Sequence, residues 1–253
     1  MKYALISDIH ANLPALEAVL RDIDSRRVDA IYHLGDLTGY APWPNETIAL
    51  LRERGISGIE GNYDSTVATD YKHCGCRADS PHEEELSHIS YEWTRQRVDE
   101  SSKAYLAALP FRIDMRPLGG HVTGPTITLI HGNQTLNTVY VTEDRPDSFL
   151  EKMAASIGAK AGDMICFGHT HKPWQRGVGS VQFVNAGSVG RPKDGDPRAC
   201  YVVVSAEENT LRPEFIRVAY DTELVAREIV KSGLPAEFAD VIRTGGKTLQ
   251  PAL

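Results

Sequence analysis

The chain has 253 residues, of which 42% are hydrophobic and 24% charged, with a formal net charge of −7. This is the composition of a soluble globular protein, and its acidic balance excludes a chain whose main work is to grip an extended nucleic-acid backbone. No apolar run approaches the roughly 20 residues of a membrane helix and no signal-like segment precedes Tyr3, so cytoplasmic residence without a membrane partner is expected.

The first sixty residues alternate strand and helix. A strand over Tyr3–Ser7 precedes a helix whose apolar face is Leu16, Val19, Leu20 and Ile23, spaced as one helical stripe. Asn12 is its expected N-cap, with Pro14 in the first turn. A strand over Ala30–Leu34, a helix over Pro44–Arg54 and a strand over Ile56–Glu60 follow. This β-α-β-α-β order predicts parallel strands with right-handed crossovers. Residues 66–109 break the rhythm with a Cys74-Gly75-Cys76 loop, a charged helix from Pro81 and a shorter helix over Ser102–Ala108; they read as a helical insertion. Strands are then expected at Phe111–Met115, Thr126–Ile130, Met164–Phe167, Val181–Val184, Cys200–Val204 and Glu214–Val218, with a helix over Ser148–Ile157. Helices over Asp221–Arg243 and a frayed tail over Thr244–Leu253 complete the chain. The expected architecture is a two-sheet α/β sandwich with flanking helices, one domain over residues 1–243. Cys166 and Cys200, in apolar strand-like runs, are expected to be inert packing, as suits a reducing compartment.

Five polar clusters each follow an apolar run: Asp8-Ile9-His10, Gly35-Asp36, Gly61-Asn62-Tyr63-Asp64, His131-Gly132 and Gly168-His169-Thr170-His171. Open α/β sheets bind ligands beyond the carboxyl ends of their strands. Asp8, His10, Asp36, Asn62, His131, His169 and His171 offer two carboxylates, four imidazoles and an amide oxygen, too many donors for one ion. They suit two divalent ions sharing a carboxylate, a device that activates water against phosphorus. Two such cations, two aspartates and one hydroxide leave about one net positive charge, enough to attract a phosphate without trapping it. Taken singly, Asp-x-His is more often a cap beside a surface histidine, and Gly-Asp a turn. Their order on one alternating frame is what favours the metal reading.

The series Asp-x-His, Gly-Asp, Gly-Asn-x-Asp, His-Gly and Gly-His-x-His resembles the calcineurin-like metallophosphoesterases over about residues 1–205. The segment Gly35–Pro42 followed by Pro44-Asn45-Glu46 looks like the small prokaryotic branch of that family. The resemblance implies one metal on Asp8, His10 and His171, a second on Asn62, His131 and His169, and Asp36 bridging. It implies manganese first, with iron or zinc as alternatives, which this nitrogen-rich donor set does not separate. One position departs: Tyr63 stands where the family has a histidine, thought to protonate the leaving oxygen, that the adjacent acid, here Asp64, orients. Tyrosine, with a reference pKa near ~10, is a poor acid at neutral pH. Tyr63, Asp64 and Asn62 are the expected catalytic set, Tyr63 otherwise being a packed aromatic of the pocket wall.

Beyond the strand before Asn185 come Asn185-Ala-Gly-Ser188, Arg191, Lys193 and Arg198. Arg191 and Arg198 are expected to clamp substrate phosphate, unless this stretch is only a solvated turn. Asn12, two residues past a presumed ligand, is a candidate to reach substrate, and capping is its simpler role. Cys74 and Cys76, with His73, His82 and His88, are too tightly spaced for an ordinary zinc site and lack a second cysteine pair, so a loop shaping the pocket mouth is expected. The expected function is hydrolysis of small phosphate esters by a metal-bridging hydroxide, leaning to phosphodiesters because substrates with good leaving groups suffer least from losing the histidine. The alternatives are a phosphomonoesterase of nucleotides or phosphoproteins, and a non-catalytic scaffold on the same fold. An oligomer is compatible with the sequence.

Overall fold

The computed structural model describes residues 1–117, 124–207 and 210–247. Ten strands form two sheets, one in the order β10-β9-β1-β2-β3 and the other β4-β5-β6-β8-β7. In the first, β1 (Lys2–Ile6), β2 (Ala30–His33) and β3 (Ser57–Gly58) run parallel, while β9 (Ala199–Glu207) and β10 (Thr210–Val218) form an antiparallel hairpin against β1. In the second, β5 (Ile127–Leu129), β6 (Met164–Phe167) and β8 (Val181–Asn185) are parallel, flanked by antiparallel β4 (Ile113–Met115) and β7 (Trp174–Val178).

Period-two alternation of apolar side chains builds the layers. Leu5, Val202, Val204, Met164 and Cys166 point into one core between the sheets. Their sequence neighbours Ala4, Ile6, Tyr201 and Val203 face a second core beneath α1 (Leu13–Ser25) and α2 (Pro44–Glu53). Ile165 and Phe167 face a third, beneath α6 (Asp147–Ile157). The expected stripe Leu16, Val19, Leu20 and Ile23 is buried.

Helix α3 (Asn62–Ala68) leads into the insertion, which holds α4 (Pro81–Arg95) and α5 (Glu100–Ala107). The C-terminal stretch divides into α7 (Thr222–Lys231) and α8 (Ala236–Thr244), which bury Val225, Ile229, Phe238 and Ile242 against Ala11 and Ala41. Three expectations are corrected. The strand expected over Ile56–Glu60 keeps only Ser57–Gly58 in register, because Glu60 N–H turns to the Pro110 carbonyl at 3.0 Å. Trp174–Val178 is a strand with one buried face, and its polar, glycine-containing run concealed it. Thr244 closes α8 ahead of a left-handed Gly245, so the tail begins later than expected; its residues 248–253 lie outside the described residues.

Candidate metal centre

The polar clusters stand where the strands end: Asp8 and His10 beyond β1, Asp36 beyond β2, Asn62 at the start of α3, His131 beyond β5, and His169 and His171 beyond β6. Five of these residues have left-handed backbone, with φ of 50° at Asp8, 49° at His10, 55° at Asp36, 67° at His169 and 59° at His171. Residues with a Cβ avoid this region, and its concentration at one sheet edge marks a place where side-chain aim overrides backbone preference. Neighbouring glycines make room. A Cβ on Gly168 would lie 2.1 Å from Ser7 Oγ and 2.4 Å from Asp8 Oδ2, and one on Gly61 would lie 2.2 Å from Asp36 Oδ1.

Two buried donor groups result among the described residues: Asp8, His10 and His171, and Asp36, His131 and His169. Asp36 Oδ2 stands between them, 3.7 Å from His10 Nε2 and 3.5 Å from His131 Nε2. Asn62 Oδ1 lies 3.2 Å from His131 Nε2, which is also 3.2 Å from His169 Nδ1.

The histidine tautomers follow from their outer partners. His10 Nδ1 lies 2.8 Å from Thr38 O, His131 Nδ1 2.7 Å from Leu34 O, and His171 Nδ1 2.7 Å from Arg191 O. A carbonyl only accepts, so the proton of each neutral ring sits on Nδ1 and Nε2 carries a lone pair into the centre. His10 Nε2 and His171 Nε2 therefore face one another at 3.1 Å with no proton between them. Two facing lone pairs repel, and a shared cation removes the repulsion. The donor set fits divalent metal.

Burial pushes the Asp8 carboxyl up to about 7 and the His10 and His169 imidazoles down to about 4 and about 3. Burial would also raise Asp36, but the facing His131 outweighs it and holds Asp36 well below the usual carboxylate range. Burial would lower His131, but Asp36 outweighs that and pushes it up to about 10. Without a cation, His131 thus gathers a second proton against Asp36; a metal ion would take that proton's place.

Several expected catalytic or substrate residues make contacts that brace the surrounding loops. Asp64 accepts hydrogen bonds from the backbone N–H groups of Asp36, Leu37 and Gly61 at 2.8, 2.9 and 2.9 Å, so it fixes two of the polar loops together. Asn62 Nδ2 donates to Cys74 O at 2.9 Å, which aims Oδ1 at the centre. Tyr63 is fully buried, its ring edge-on to His10 at 5.6 Å between centroids and its hydroxyl donating to Ser90 Oγ at 3.1 Å. That geometry is the packed wall aromatic, with the hydroxyl engaged away from the donor groups. Asn12 is fully buried as the α1 cap, accepting from Ala15 N–H at 3.2 Å and donating to Gly190 O at 2.8 Å. Arg198 is exposed and paired with Asp196 at 2.6 Å. Arg191 differs: its guanidinium lies 3.9 Å over the Tyr40 ring and lines a cleft of about 520 Å³ beside Thr170.

Of this cleft the sequence named Arg191 and the Cys74–Cys76 loop but not the aromatic wall. Tyr40, Tyr140 and Phe238 form it, with Lys193, so α8 and the Tyr140 loop both contribute. Tyr140 packs on His169 with ring centroids 3.9 Å apart. Burial and the neighbouring Arg191 charge push Lys193 down to about 7. Cys76 also lines the cleft, as expected of a loop at its mouth, and its sulfur is paired with Cys74. The nearby histidines join no metal-ligating group with these cysteines among the described residues.

Residues 1–209 match the calcineurin-like phosphoesterase superfamily domain. An uncharacterised protein of Methanocaldococcus jannaschii is 30% identical, the match covering 92% of this chain and 93% of that one. The crystal structure of a metallophosphoesterase from Sphaerobacter thermophilus is similar at 27% identity, 97% coverage of this chain, 99% of that chain and a TM-score of 0.72. A hypothetical protein from Pyrococcus horikoshii OT3 shares the fold at 22% identity, covering 98% of this chain and 99% of its own, with a TM-score of 0.80. Helices α7 and α8 lie beyond the matched domain, yet Phe238 of α8 reaches the cleft. With two buried donor groups at the carboxyl edge of the expected sandwich, the chain belongs to the calcineurin-like phosphoesterase superfamily and is a metal-dependent phosphoric ester hydrolase.

Proposed function

We propose that this chain is a dinuclear-metal phosphodiesterase acting on small esters in the cytoplasm. The observation that carries the dinuclear part is the pair of facing donor groups with Asp36 Oδ2 between them, 3.7 Å from His10 Nε2 and 3.5 Å from His131 Nε2. Asp8, His10 and His171 would hold one ion, Asn62, His131 and His169 the other, and Asp36 both; manganese is the first choice, then iron or zinc. When bound, such a pair supplies Lewis acidity toward phosphoryl oxygens and a water acidic enough to attack phosphorus at neutral pH.

The chain's own groups do the rest. Backbone carbonyls of Thr38, Leu34 and Arg191 keep the imidazoles in the tautomer that presents Nε2. Asp64, through three backbone N–H groups, keeps the Asp36 and Asn62 loops in register. Arg191 offers a guanidinium fork to a phosphoryl oxygen at the cleft wall. The Tyr63 hydroxyl donates to Ser90 Oγ, which supports a reading in which that position supplies no proton to the leaving oxygen. Rate then depends on leaving-group quality, which is the basis of the diester lean.

Asp36→Asn is the decisive variant. It should abolish hydrolysis of bis(p-nitrophenyl) phosphate with added manganese and lower bound metal below one ion per chain. Full activity would refute the bridge, and a wild-type chain that holds no metal after loading would favour a scaffold. A phosphomonoesterase is the second reading, favoured by the cationic cleft wall at Arg191 and Lys193. Comparing that diester with p-nitrophenyl phosphate separates the two.

A further inference from the structure

The cleft wall groups cations beyond the metal-binding residues, Arg77, Lys172, Arg191 and Lys193, with Asp79, Glu83 and Glu237 on the same lining. Lys172, Arg191 and Lys193 all line it, and none has a carboxylate within 4 Å among the described residues. The acids of the lining have other contacts, Asp79 with Arg77 at 3.2 Å, Glu237 with the His82 imidazole at 3.7 Å and Glu83 accepting from Asp79 N–H at 2.9 Å, while the Glu83 charge also acts on Lys193. Arg191 Nε is buried with no hydrogen-bond partner among the described residues. Elsewhere on this surface arginines find carboxylates readily, as Arg198 does with Asp196 and Arg243 with Glu223.

These cations are also held in place. Ser188 Oγ donates to Asp8 O at 2.7 Å and accepts from Arg191 N–H at 2.8 Å, while Lys193 N–H donates to His171 O at 3.3 Å. The backbone of the loop bearing Arg191 and Lys193 is therefore tied to two metal-binding residues, which roots both side chains beside the metal centre. Like charges crowded on a partly desolvated wall repel unless an anion joins them. A diester phosphate brings one negative charge, and the metal-binding groups would claim it. The wall is left for another anion.

We propose that Lys172, Arg191 and Lys193 form a second anion subsite, so that the preferred substrate is a phosphate ester bearing a second phosphate group. This rests on the phosphoesterase reading and names the substrate class of the same site. Arg191 spans both roles, touching the reacting phosphate and the second one; Lys193 and Lys172 serve the second alone and set specificity.

The test uses two chromogenic diesters, the p-nitrophenyl ester of thymidine 5′-phosphate with and without a 3′-phosphate, and manganese-loaded full-length protein. The doubly phosphorylated ester should show a kcat/KM about 30-fold higher. Lys193→Met should cut that preference to about 3-fold, chiefly through KM, while slowing the singly phosphorylated ester by no more than about 3-fold. Lys172→Met should act in the same direction more weakly. An independent readout needs neither metal nor turnover: calorimetric titration of inorganic phosphate into chelator-treated protein should find one site, weakened about 10-fold or more in Lys193→Met. Equal rates on the two esters in the wild type, an equal loss on both in Lys193→Met, or phosphate binding indifferent to Lys193 would overturn the subsite. Absence of turnover on either ester while Lys193-dependent phosphate binding persists would instead sink the hydrolase reading and leave the subsite standing.

Discussion

At Gly168 the space for a side chain is already taken by the metal centre's own frame. A Cβ there would meet Ser7 Oγ at 2.1 Å and Asp8 Oδ2 at 2.4 Å, atoms that hydrogen-bond each other at 2.6 Å. Neither can yield without turning Asp8 away from His171. Gly168→Ala should therefore destabilise the chain by about 2–4 kcal/mol and release most bound manganese, measured by urea unfolding and metal content. Near-wild-type metal binding would mean that Asp8 aims at nothing important. Tyr63 poses the opposite question, since it fills space rather than clearing it. Its ring packs on Tyr40 and Tyr91 with centroids 5.3 and 5.9 Å away. Tyr63→His should raise p-nitrophenyl phosphate turnover more than diester turnover, because it returns a titratable donor beside His10. It should also cost about 2–4 kcal/mol, because the smaller ring leaves a cavity. A variant that gains neither rate would show that position 63 has no line to the leaving group.

At the scale of elements, legibility followed burial pattern. Helix α1 was readable because Leu16, Val19, Leu20 and Ile23 recur at helical spacing and all are buried. Strand β6 was readable because Met164–Phe167 is buried on both faces. Helix α3 was not, since Asn62–Ala68 is polar and takes its shape from Asp64 and the loop around it. The same contrast divides the site. Donors at strand ends announce themselves by residue type and order, whereas Tyr40, Tyr140, Lys193 and Phe238 meet only through the packing of three loops with a C-terminal helix. No spacing along the chain encodes that meeting. Left-handed backbone separates the two causes of strain as well. Arg27, exposed just past the end of α1, has φ of 54° and no part in the metal centre. Arg27→Gly should stabilise the chain by about 0.5–1 kcal/mol in urea unfolding. A loss of stability would mean that the Arg27 side chain makes a contact worth more than the strain.

Across the whole molecule the first sheet and the insertion meet at His33, and its protonation links acidity to that junction. The ring is buried against Gly58, where a Cβ would lie 2.3 Å from its Cγ, and its Nε2 lies 3.4 Å from the Tyr105 hydroxyl of α5. Nδ1 has no partner. Burial pushes this imidazole down to about 3, against about 6.5 in the unfolded chain. The unfolded state therefore takes up the proton first as pH falls. The stability His33 contributes is fully present above about 6.5 and is lost progressively as pH drops toward about 3, with a limiting slope of about 1.4 kcal/mol per pH unit. His10 and His169, also held low by burial, add slopes of the same sign. They remain in both proteins when wild type and His33→Leu are compared under chelator, so their contribution cancels in the difference and metal release does not enter. Urea unfolding at intervals from pH 7 to pH 4 should give a shallower dependence for His33→Leu, by close to one proton below pH 6. Parallel curves would mean that His33 is charged, or reached by water, in the folded chain, and that acid enters the sandwich somewhere else.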